Sequence, residues 1–266
     1  MHSDQYASFF TEHGYLILED LLDGEAIDTS RREIARLHQM AADLVAKDAL
    51  KSSDFQLEPY AGQTHSSEPP ILRKIENTRI HSAWFRSLAS HPELVAIIQQ
   101  LLGEDLLLFR STLMLKPAHH GSAHAFHQDS AYWPMDPPAL VTVSIALDDA
   151  TPNNGCIKVL PGSHQWALQE WGHIAQSRDA PLSDREDLDL SGQIDVPLKA
   201  GSAVLFHSKL VHGSGANTTD QSRNTALYAY FSSQVSYRPG PNGPQRRTFP
   251  VIAGMNGATE HELVAD

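Results

Sequence analysis

The sequence predicts an α+β fold with a mainly β core and helices packed against it. Amphipathic helical segments are confined to the first part of the chain, about residues 1–103. After Gly103 the chain becomes a series of short apolar and β-branched segments, separated by Pro, Gly, Asn and Asp. Short strands without helices between them are typical of an antiparallel sandwich or barrel, of which the jelly roll is one kind.

The N-terminal part contains one predicted strand and two predicted helices. Residues 14–18 form a short apolar run bounded by a glycine, which favours a strand. Apolar side chains at helical spacing predict a helix over 24–50 and a second one over 82–103, with a break at Pro92. Clusters of Ser, Pro and Gly over 52–70 predict a loop that could cover a site.

The β core is predicted between about residues 104 and 235. Its strands are expected at 106–115, 139–147, 155–160, 194–198, 203–207 and 225–232. The segment 238–247 is rich in Pro and Gly and cannot stay regular for long, so residues 236–266 are predicted to form a C-terminal tail. No repeat or linker divides the chain, and residues 1–266 are therefore expected to form a single domain.

Composition excludes several classes of protein. The chain of 266 residues has 20 basic and 32 acidic residues, a net charge of −12, which argues against general binding to nucleic acid or to anionic membranes. A single cysteine excludes a disulfide framework within the chain and any multi-cysteine metal site. There is no apolar run of membrane-spanning length and no secretion-signal pattern. We expect a cytoplasmic protein with a small-molecule partner, and its oligomeric state stays open.

Two histidines and one carboxylate form the sharpest chemical pattern. In the segment 126–129, Phe-His-Gln-Asp, an extended strand would project His127 and Asp129 from the same face. His212 offers a second imidazole that only folding can bring to them. This ligand set is used by non-haem Fe(II) oxygenases, because three protein ligands leave three positions for a bidentate acid and dioxygen. The pattern HxD alone is frequent by chance, and His119, His120 and His124 are rival ligands nearby.

Arg223 and Ser214 make this metal site more plausible. The spacing from His212 to Arg223 fits one strand, a turn and the start of the next strand. A guanidinium placed there is suited to bidentate pairing with a carboxylate, and the Ser214 hydroxyl could bond to the same group. In isolation, Arg223 would be read as a surface arginine and Ser214 as a turn residue.

Residues 113–138, 144–164, 200–223 and 225–232 resemble the phytanoyl-CoA dioxygenase family of Fe(II)/2-oxoglutarate oxygenases. The resemblance covers about residues 70–235 and rests on the ordered motifs HQD, NNG, LPGSH and HGSG, followed by an arginine. It implies a double-stranded β-helix, the cupin-like jelly roll, with packed N-terminal helices.

The resemblance also implies roles for individual residues. The residues that match the iron ligands of the family are His127, Asp129 and His212. The residues that match contacts to 2-oxoglutarate are Arg223, Ser214, Lys74 and Gln128. Of these, Lys74 could equally be a solvated lysine at the start of a strand. Gln128 alternates to the opposite face of the strand from His127.

The activity implied is hydroxylation of an unactivated C–H bond, with Fe(II), 2-oxoglutarate and O2, releasing succinate and CO2. The retained carboxylate of Asp129 favours hydroxylation over halogenation, while desaturation and ring closure stay open. We expect a small polar or anionic substrate: an amino-acid derivative, an alkylphosphonate or a natural-product intermediate. The side chains that could bind an anionic substrate are Arg73, Arg110, Lys116, His119, His120 and Lys209.

Two other classes of protein fit the same residues. Two histidines and a carboxylate also hold zinc or manganese in β-barrel hydrolases and isomerases. A jelly roll that binds or senses a ligand without turnover is the second alternative. Arg223 discriminates between the classes, because it has an evident role only when an acid cosubstrate binds.

Overall fold

Two antiparallel sheets enclose a cavity that residues from both sheets line. The computed structural model describes residues 3–47, 50, 54–58, 70–171, 174, 182–183, 185 and 187–265. The helices are α1 (Ser3–His13), α2 (Gly24–Ala46), α3 (Thr78–His81), α4 (Ala83–Leu88) and α5 (Pro92–Leu102). The strands are β1 (Tyr15–Leu18), β2 (Phe55–Leu57), β3 (Leu72–Glu76), β4 (Leu106–Lys116), β5 (His124–His127), β6 (Met135–Asp136), β7 (Val141–Ala146), β8 (Ile157–Val159), β9 (Ile194–Val196), β10 (Ala203–His207), β11 (His212–Ser214), β12 (Arg223–Ser232), β13 (Ser236–Tyr237), β14 (Arg246–Ala253) and β15 (Glu260–Val264).

The larger sheet has nine strands in the described residues, in the order β1-β10-β7-β12-β4-β14-β15, with β3 also pairing with β4 and β2 with β3. The smaller sheet has the order β5-β11-β8-β9, and β13 pairs with β6 apart from both sheets. Neighbouring strands are antiparallel and mostly distant in sequence. This arrangement confirms the predicted antiparallel β core of the jelly-roll type.

Side chains of the larger sheet alternate between an apolar outer face, which packs into the core, and an inner face, which lines the cavity. Val143 and Ile145 of β7 pack into the main hydrophobic core, whereas Ser144 between them lines the cavity. On β4, Leu113 lies in the core and its neighbours Thr112 and Met114 line the cavity. The period of two along each strand therefore separates the residues that stabilise the fold from those available for chemistry.

The helices cover the outer face of the larger sheet. Leu37 of α2 and Ile98 of α5 are fully buried in the same core as β7 and β4. The hydroxyl of Tyr228 donates to the carbonyl of Phe85 at 2.8 Å, and that of Tyr230 donates to the carbonyl of Ala89 at 2.9 Å. These two buried bonds fix the α4 region on β12, whose first residue is Arg223.

The predicted helices agree with the structure, apart from their ends. Helix α2 begins after the N-cap Asp23 and ends at Ala46, four residues before the predicted end. The predicted helix over 82–103 is divided at Pro92, which begins α5. Sequence analysis did not identify α1 or α3.

Two predicted irregular segments contain strands. Within the predicted loop 52–70, residues Phe55–Leu57 form β2, while 52–53 and 59–69 lie outside the described residues. The predicted tail 236–266 contains β13, and its β14 and β15 form a hairpin that joins the edge of β4. The tail prediction was wrong there, because the proline-rich segment is a turn before β14 and not the end of regular structure. Among the described residues, no helix is long and apolar enough to cross a membrane.

Candidate active site

The three proposed metal ligands meet at the junction of two strands and a turn. His127 ends β5 and His212 begins β11, and the two residues are directly paired across the smaller sheet. The strand ends at His127, so Asp129 does not lie on it as predicted; it begins a 3-10 turn, Asp129–Ala131. Gln128 between them still has extended backbone (φ −108°, ψ 122°), so the side chains of His127 and Asp129 project from the same side.

Backbone carbonyls fix the orientation of both imidazoles. Nδ1 of His127 bonds to the carbonyl of Ala125, and Nδ1 of His212 to that of Leu210, each at 2.9 Å. A carbonyl oxygen only accepts, so each Nδ1 carries the proton and each Nε2 keeps its lone pair. Metal-binding histidines are commonly oriented in this way.

The carboxylate of Asp129 faces both free imidazole nitrogens. Its Oδ1 lies 3.3 Å from Nε2 of His127 and 3.8 Å from Nε2 of His212. Its Oδ2 accepts a hydrogen bond of 2.9 Å from the hydroxyl of Thr142 on β7. The three donor atoms lie within 4.8 Å of one another, so the set fits one metal ion.

The electrostatics of these ligands favour the forms that bind metal. Burial alone would raise the pKa of Asp129, but His212, His127 and the Thr142 hydroxyl lower it to about 2. Burial and the neighbouring His127 lower the pKa of His212 to about 4. At neutral pH the carboxylate is therefore ionised and His212 is neutral, as metal binding requires.

Arg223 lies in the same cavity, buried and without an acidic partner among the described residues. The cavity has a volume of about 370 Å³, and the three ligands, Arg223 and Ser214 all line it. Arg223 is only 3% exposed; it donates to the carbonyl of Gly155 and, at 3.3 Å, to the hydroxyl of Thr225. Its Nε is buried with no partner, and burial lowers the pKa of the guanidinium to about 10.

Lys116 provides a second buried cation beside Arg223. The two residues are directly opposite each other in the β4–β12 ladder. The ammonium of Lys116 donates to the carbonyl of Ser122 at 2.9 Å and to that of Gly215. Burial and the charge of Arg223 hold its pKa well below the usual value. Among the described residues neither cation forms an ion pair with a carboxylate, and an anion between them would offset the cost of burying their charges.

Gly155 explains why the NNG and HGSG segments belong together. Its φ is +81°, and a Cβ at this position would lie 2.3 Å from the carbonyl oxygen of Gly215. The carbonyls of these two glycines accept hydrogen bonds from Arg223 and Lys116 respectively. The close approach of the two segments thus positions both cations, and only glycine permits it.

Of the two further residues predicted to contact 2-oxoglutarate, one lines the cavity and the other does not. Lys74 lines the cavity, but its ammonium forms an ion pair of 2.5 Å with Glu76. The Gln128 side chain points elsewhere: it donates to the carbonyl of Lys209 and accepts from the backbone of Gln169 and the indole of Trp171. Gln128 therefore supports the loop around residue 169 and is not placed among the cavity residues.

The structure separates the candidate cations and the rival histidines. Arg73, Arg110 and Lys116 line the cavity, whereas His119, His120 and Lys209 do not appear among its lining residues. His119 is exposed and pairs with Asp220 at 2.6 Å. His124 lines the cavity, but its Nδ1 accepts a hydrogen bond of 2.7 Å from Arg73, and it is not part of the metal-ligand group.

Two functional residues were not found by sequence reasoning. Thr142 orients Asp129, and Glu76 accepts from both Lys74 and Arg110. No motif marks them, because each acts across strands that are distant in the chain. The only available signal was the alternation along each strand: Thr142 and Ser144 alternate with apolar residues of β7, and Lys74 and Glu76 flank the apolar Ile75 of β3.

Comparison with known proteins gives consistent results. The family described as Phytanoyl-CoA dioxygenase (PhyH) matches residues 10–225. Peroxisomal phytanoyl-CoA dioxygenase of Rattus norvegicus is 27% identical over 238 residues, covering 86% of this chain and 68% of the relative. Ectoine dioxygenase of Nocardia farcinica is 29% identical over 249 residues, covering 88% of this chain and 78% of the relative. The crystal structure of EctD from S. alaskensis with 2-oxoglutarate and 5-hydroxyectoine superposes with a TM-score of 0.64, at 27% identity, covering 86% of this chain and 75% of that one.

These findings confirm the predicted enzyme class, an iron- and 2-oxoglutarate-dependent dioxygenase, and its jelly-roll fold. A match over residues 10–225 includes the whole smaller sheet, six complete strands of the larger sheet and the start of β12, together with every proposed ligand of the metal and the cosubstrate. The chain belongs to the phytanoyl-CoA dioxygenase (PhyH) family.

Proposed function

We propose that this enzyme hydroxylates a C–H bond of a small polar metabolite, with His127, Asp129 and His212 as ligands of Fe(II). The observation that carries the proposal is that the three metal ligands line the same cavity as Arg223, which is buried and forms no ion pair among the described residues. When bound, iron couples the oxidative decarboxylation of 2-oxoglutarate by O2 to insertion of one oxygen atom into the substrate. The products are the alcohol, succinate and CO2, so that each O2 supplies one oxygen to each organic product.

The protein's own contribution is to position the cosubstrate and the ligands. We propose that Arg223 and Ser214 bind the distal carboxylate of 2-oxoglutarate, and that Lys116 adds a second positive charge there. The ammonium of Lys116 has three donors and uses two of them on carbonyls, which leaves one for this carboxylate. The Thr142 hydroxyl holds Oδ2 of Asp129, leaving Oδ1 for the metal.

The cavity supports a small substrate. Its volume of about 370 Å³ is near the lower end of the range of about 300–1,000 Å³ for ligand pockets, and it must also hold the cosubstrate. The relatives named above include an ectoine dioxygenase, which by its name acts on a small molecule, ectoine. Trp133 and Phe206 add apolar walls that help to exclude water from the reacting centre. A single buried cysteine fits a reducing compartment, and we expect the enzyme to act in the cytoplasm.

The function is tested by measuring succinate in the purified protein supplied with Fe(II), ascorbate, 2-oxoglutarate and pooled metabolites. We expect succinate formation that requires both iron and O2 and that rises with some pools. A product mass increased by one oxygen atom, with label from 18O2, identifies hydroxylation. Metabolite turnover that proceeds without 2-oxoglutarate and O2, supported by zinc or manganese, would contradict the proposal and favour the hydrolase or isomerase class.

A further inference from the structure

Three cationic side chains lie in the cavity apart from the Arg223–Lys116 pair. Arg73 and Lys74 belong to β3 and Arg110 to β4, the strands that form one side of the cavity. Arg110 and Arg73 both contribute to the electrostatic field at Lys74, whose pKa is lowered by burial and by these two charges. The three side chains therefore form a continuous group, the β3–β4 cation cluster.

The cluster has fewer carboxylates than cations among the described residues. Glu76 alone pairs with two of its members, at 2.5 Å to Lys74 and 2.7 Å to Arg110. Arg73 is 9% exposed, and its guanidinium donates to the neutral ring of His124 at 2.7 Å. Glu58 acts on Arg73 through its charge but forms no ion pair with it, since its carboxylate is hydrogen-bonded to Ser122.

The charge balance of the whole cavity leaves a positive excess. Five cationic side chains line it, against four described carboxylates that lie in it or act on its cations, namely Asp129, Glu76, Glu58 and Asp148, which gives an excess of one positive charge. The charges of Fe(II) and of the 2-oxoglutarate dianion cancel each other, so the positive excess persists when both are bound. Buried charge without a counter-ion is costly, and a ligand of opposite charge removes that cost.

We propose that the substrate is a small acid whose oxyanion group binds the two arginines of the β3–β4 cation cluster, Arg73 and Arg110. This inference rests on the proposed function, because it assigns the Arg223–Lys116 pair to 2-oxoglutarate and the two arginines of the cluster to the substrate. Lys74 stays a predicted contact of 2-oxoglutarate. A carboxylate, a phosphonate and a phosphate ester share the required chemistry, since each accepts paired hydrogen bonds from a guanidinium. The metal ligands face the same cavity, so a C–H bond near the acid group is the expected site of hydroxylation.

The first test uses the native enzyme and chemically modified metabolite pools. An extract that stimulates succinate formation is divided into three portions: untreated, methylated with a diazoalkane to mask oxyanion groups, and treated with phosphatase. We expect methylation to abolish the stimulation. If phosphatase treatment also abolishes the stimulation, the acid is a phosphate ester. If the phosphatase-treated portion still stimulates succinate formation, and saponification of the methylated portion restores its stimulation, the acid is a carboxylate. Full stimulation by the methylated extract would overturn the inference.

The second test uses charge variants of the cluster. Arg73→Gln and Arg110→Gln should each raise the KM for the substrate about tenfold or more, the loss expected for one charge-assisted hydrogen bond, with the KM for 2-oxoglutarate unchanged. Glu76→Gln should lower the KM for the substrate, because it removes the carboxylate that pairs with Lys74 and Arg110. Arg32→Gln, on the exposed face of α2, is the matched control and should behave as the native enzyme.

Two readouts separate this inference from the proposed function. Circular dichroism and substrate-independent turnover of 2-oxoglutarate check that each variant is folded and loaded. If those are native-like and the substrate KM is unchanged in both arginine variants, the cluster does not bind the substrate, although the oxygenase function stands. If the native protein turns over no 2-oxoglutarate at all, the proposed function fails, and with it the inference.

Discussion

His127→Ala is expected to eliminate 2-oxoglutarate-dependent succinate formation. The variant removes one of three protein ligands, and no other described histidine is placed to replace it, since His124 is hydrogen-bonded to Arg73. Loss of an outer hydrogen-bond partner of a metal ligand typically reduces activity or metal affinity about 10–100-fold, and loss of the ligand itself should exceed this range. The measurements are succinate by mass spectrometry and iron content of the purified variant.

Two variants calibrate this expected loss. Thr142→Val removes only the hydroxyl that orients Asp129 and should fall within the range of about 10–100-fold. His120→Ala removes an exposed imidazole outside the cavity and should retain native activity. A His127→Ala variant that is folded, binds iron normally and keeps more than a tenth of native turnover would contradict the assignment of this ligand.

Arg223→Gln should raise the KM for 2-oxoglutarate by about ten- to a hundredfold. The guanidinium is buried and has no acidic partner among the described residues, so its charge is available to the distal carboxylate of the cosubstrate. A hydrogen bond to a charged group contributes about 1.5–3 kcal/mol, which corresponds to this range. Because Arg223 is not a metal ligand, turnover at saturating 2-oxoglutarate should decrease much less than turnover at low concentration.

The comparison variants for Arg223 separate charge from geometry. Arg223→Lys keeps the positive charge but loses the planar pair of donors, and an intermediate KM is expected. Arg246→Gln, which breaks an exposed ion pair with Glu262, should leave the KM unchanged. An Arg223→Gln variant that folds and binds 2-oxoglutarate as tightly as the native enzyme would show that another residue holds the distal carboxylate.

The metal ligands could be proposed from the sequence because their arrangement depends mainly on residues close to them in the chain. His127 and Asp129 are two positions apart, and the extended backbone at Gln128 is enough to aim both side chains at one point. The turn between His212 and Arg223 likewise follows from glycine and polar residues in the sequence, and β12 begins at Arg223 in the structure. Local backbone geometry and side-chain chemistry were therefore enough to propose the metal ligands and Arg223 from the sequence.

The remaining features depend on contacts between distant strands. Gln128 belongs to the same motif as the ligands, yet its environment is set by Gln169 and Trp171, about 40 positions away. The role of Glu76 arises only when β3 and β4 pair and bring Arg110 beside it. The β14–β15 hairpin was also missed, because it is stabilised by the edge of β4 and its segment is rich in turn-forming residues.

The central claim is that His127, Asp129 and His212 hold one ferrous ion with an open side for 2-oxoglutarate. Anaerobic titration of the metal-free protein with Fe(II) in excess 2-oxoglutarate tests it most directly, through the weak visible charge-transfer band of the chelate. We expect a band that saturates at one iron per chain and is absent in Asp129→Ala. A native protein that binds one Fe(II) per chain and shows no such band with 2-oxoglutarate would contradict it.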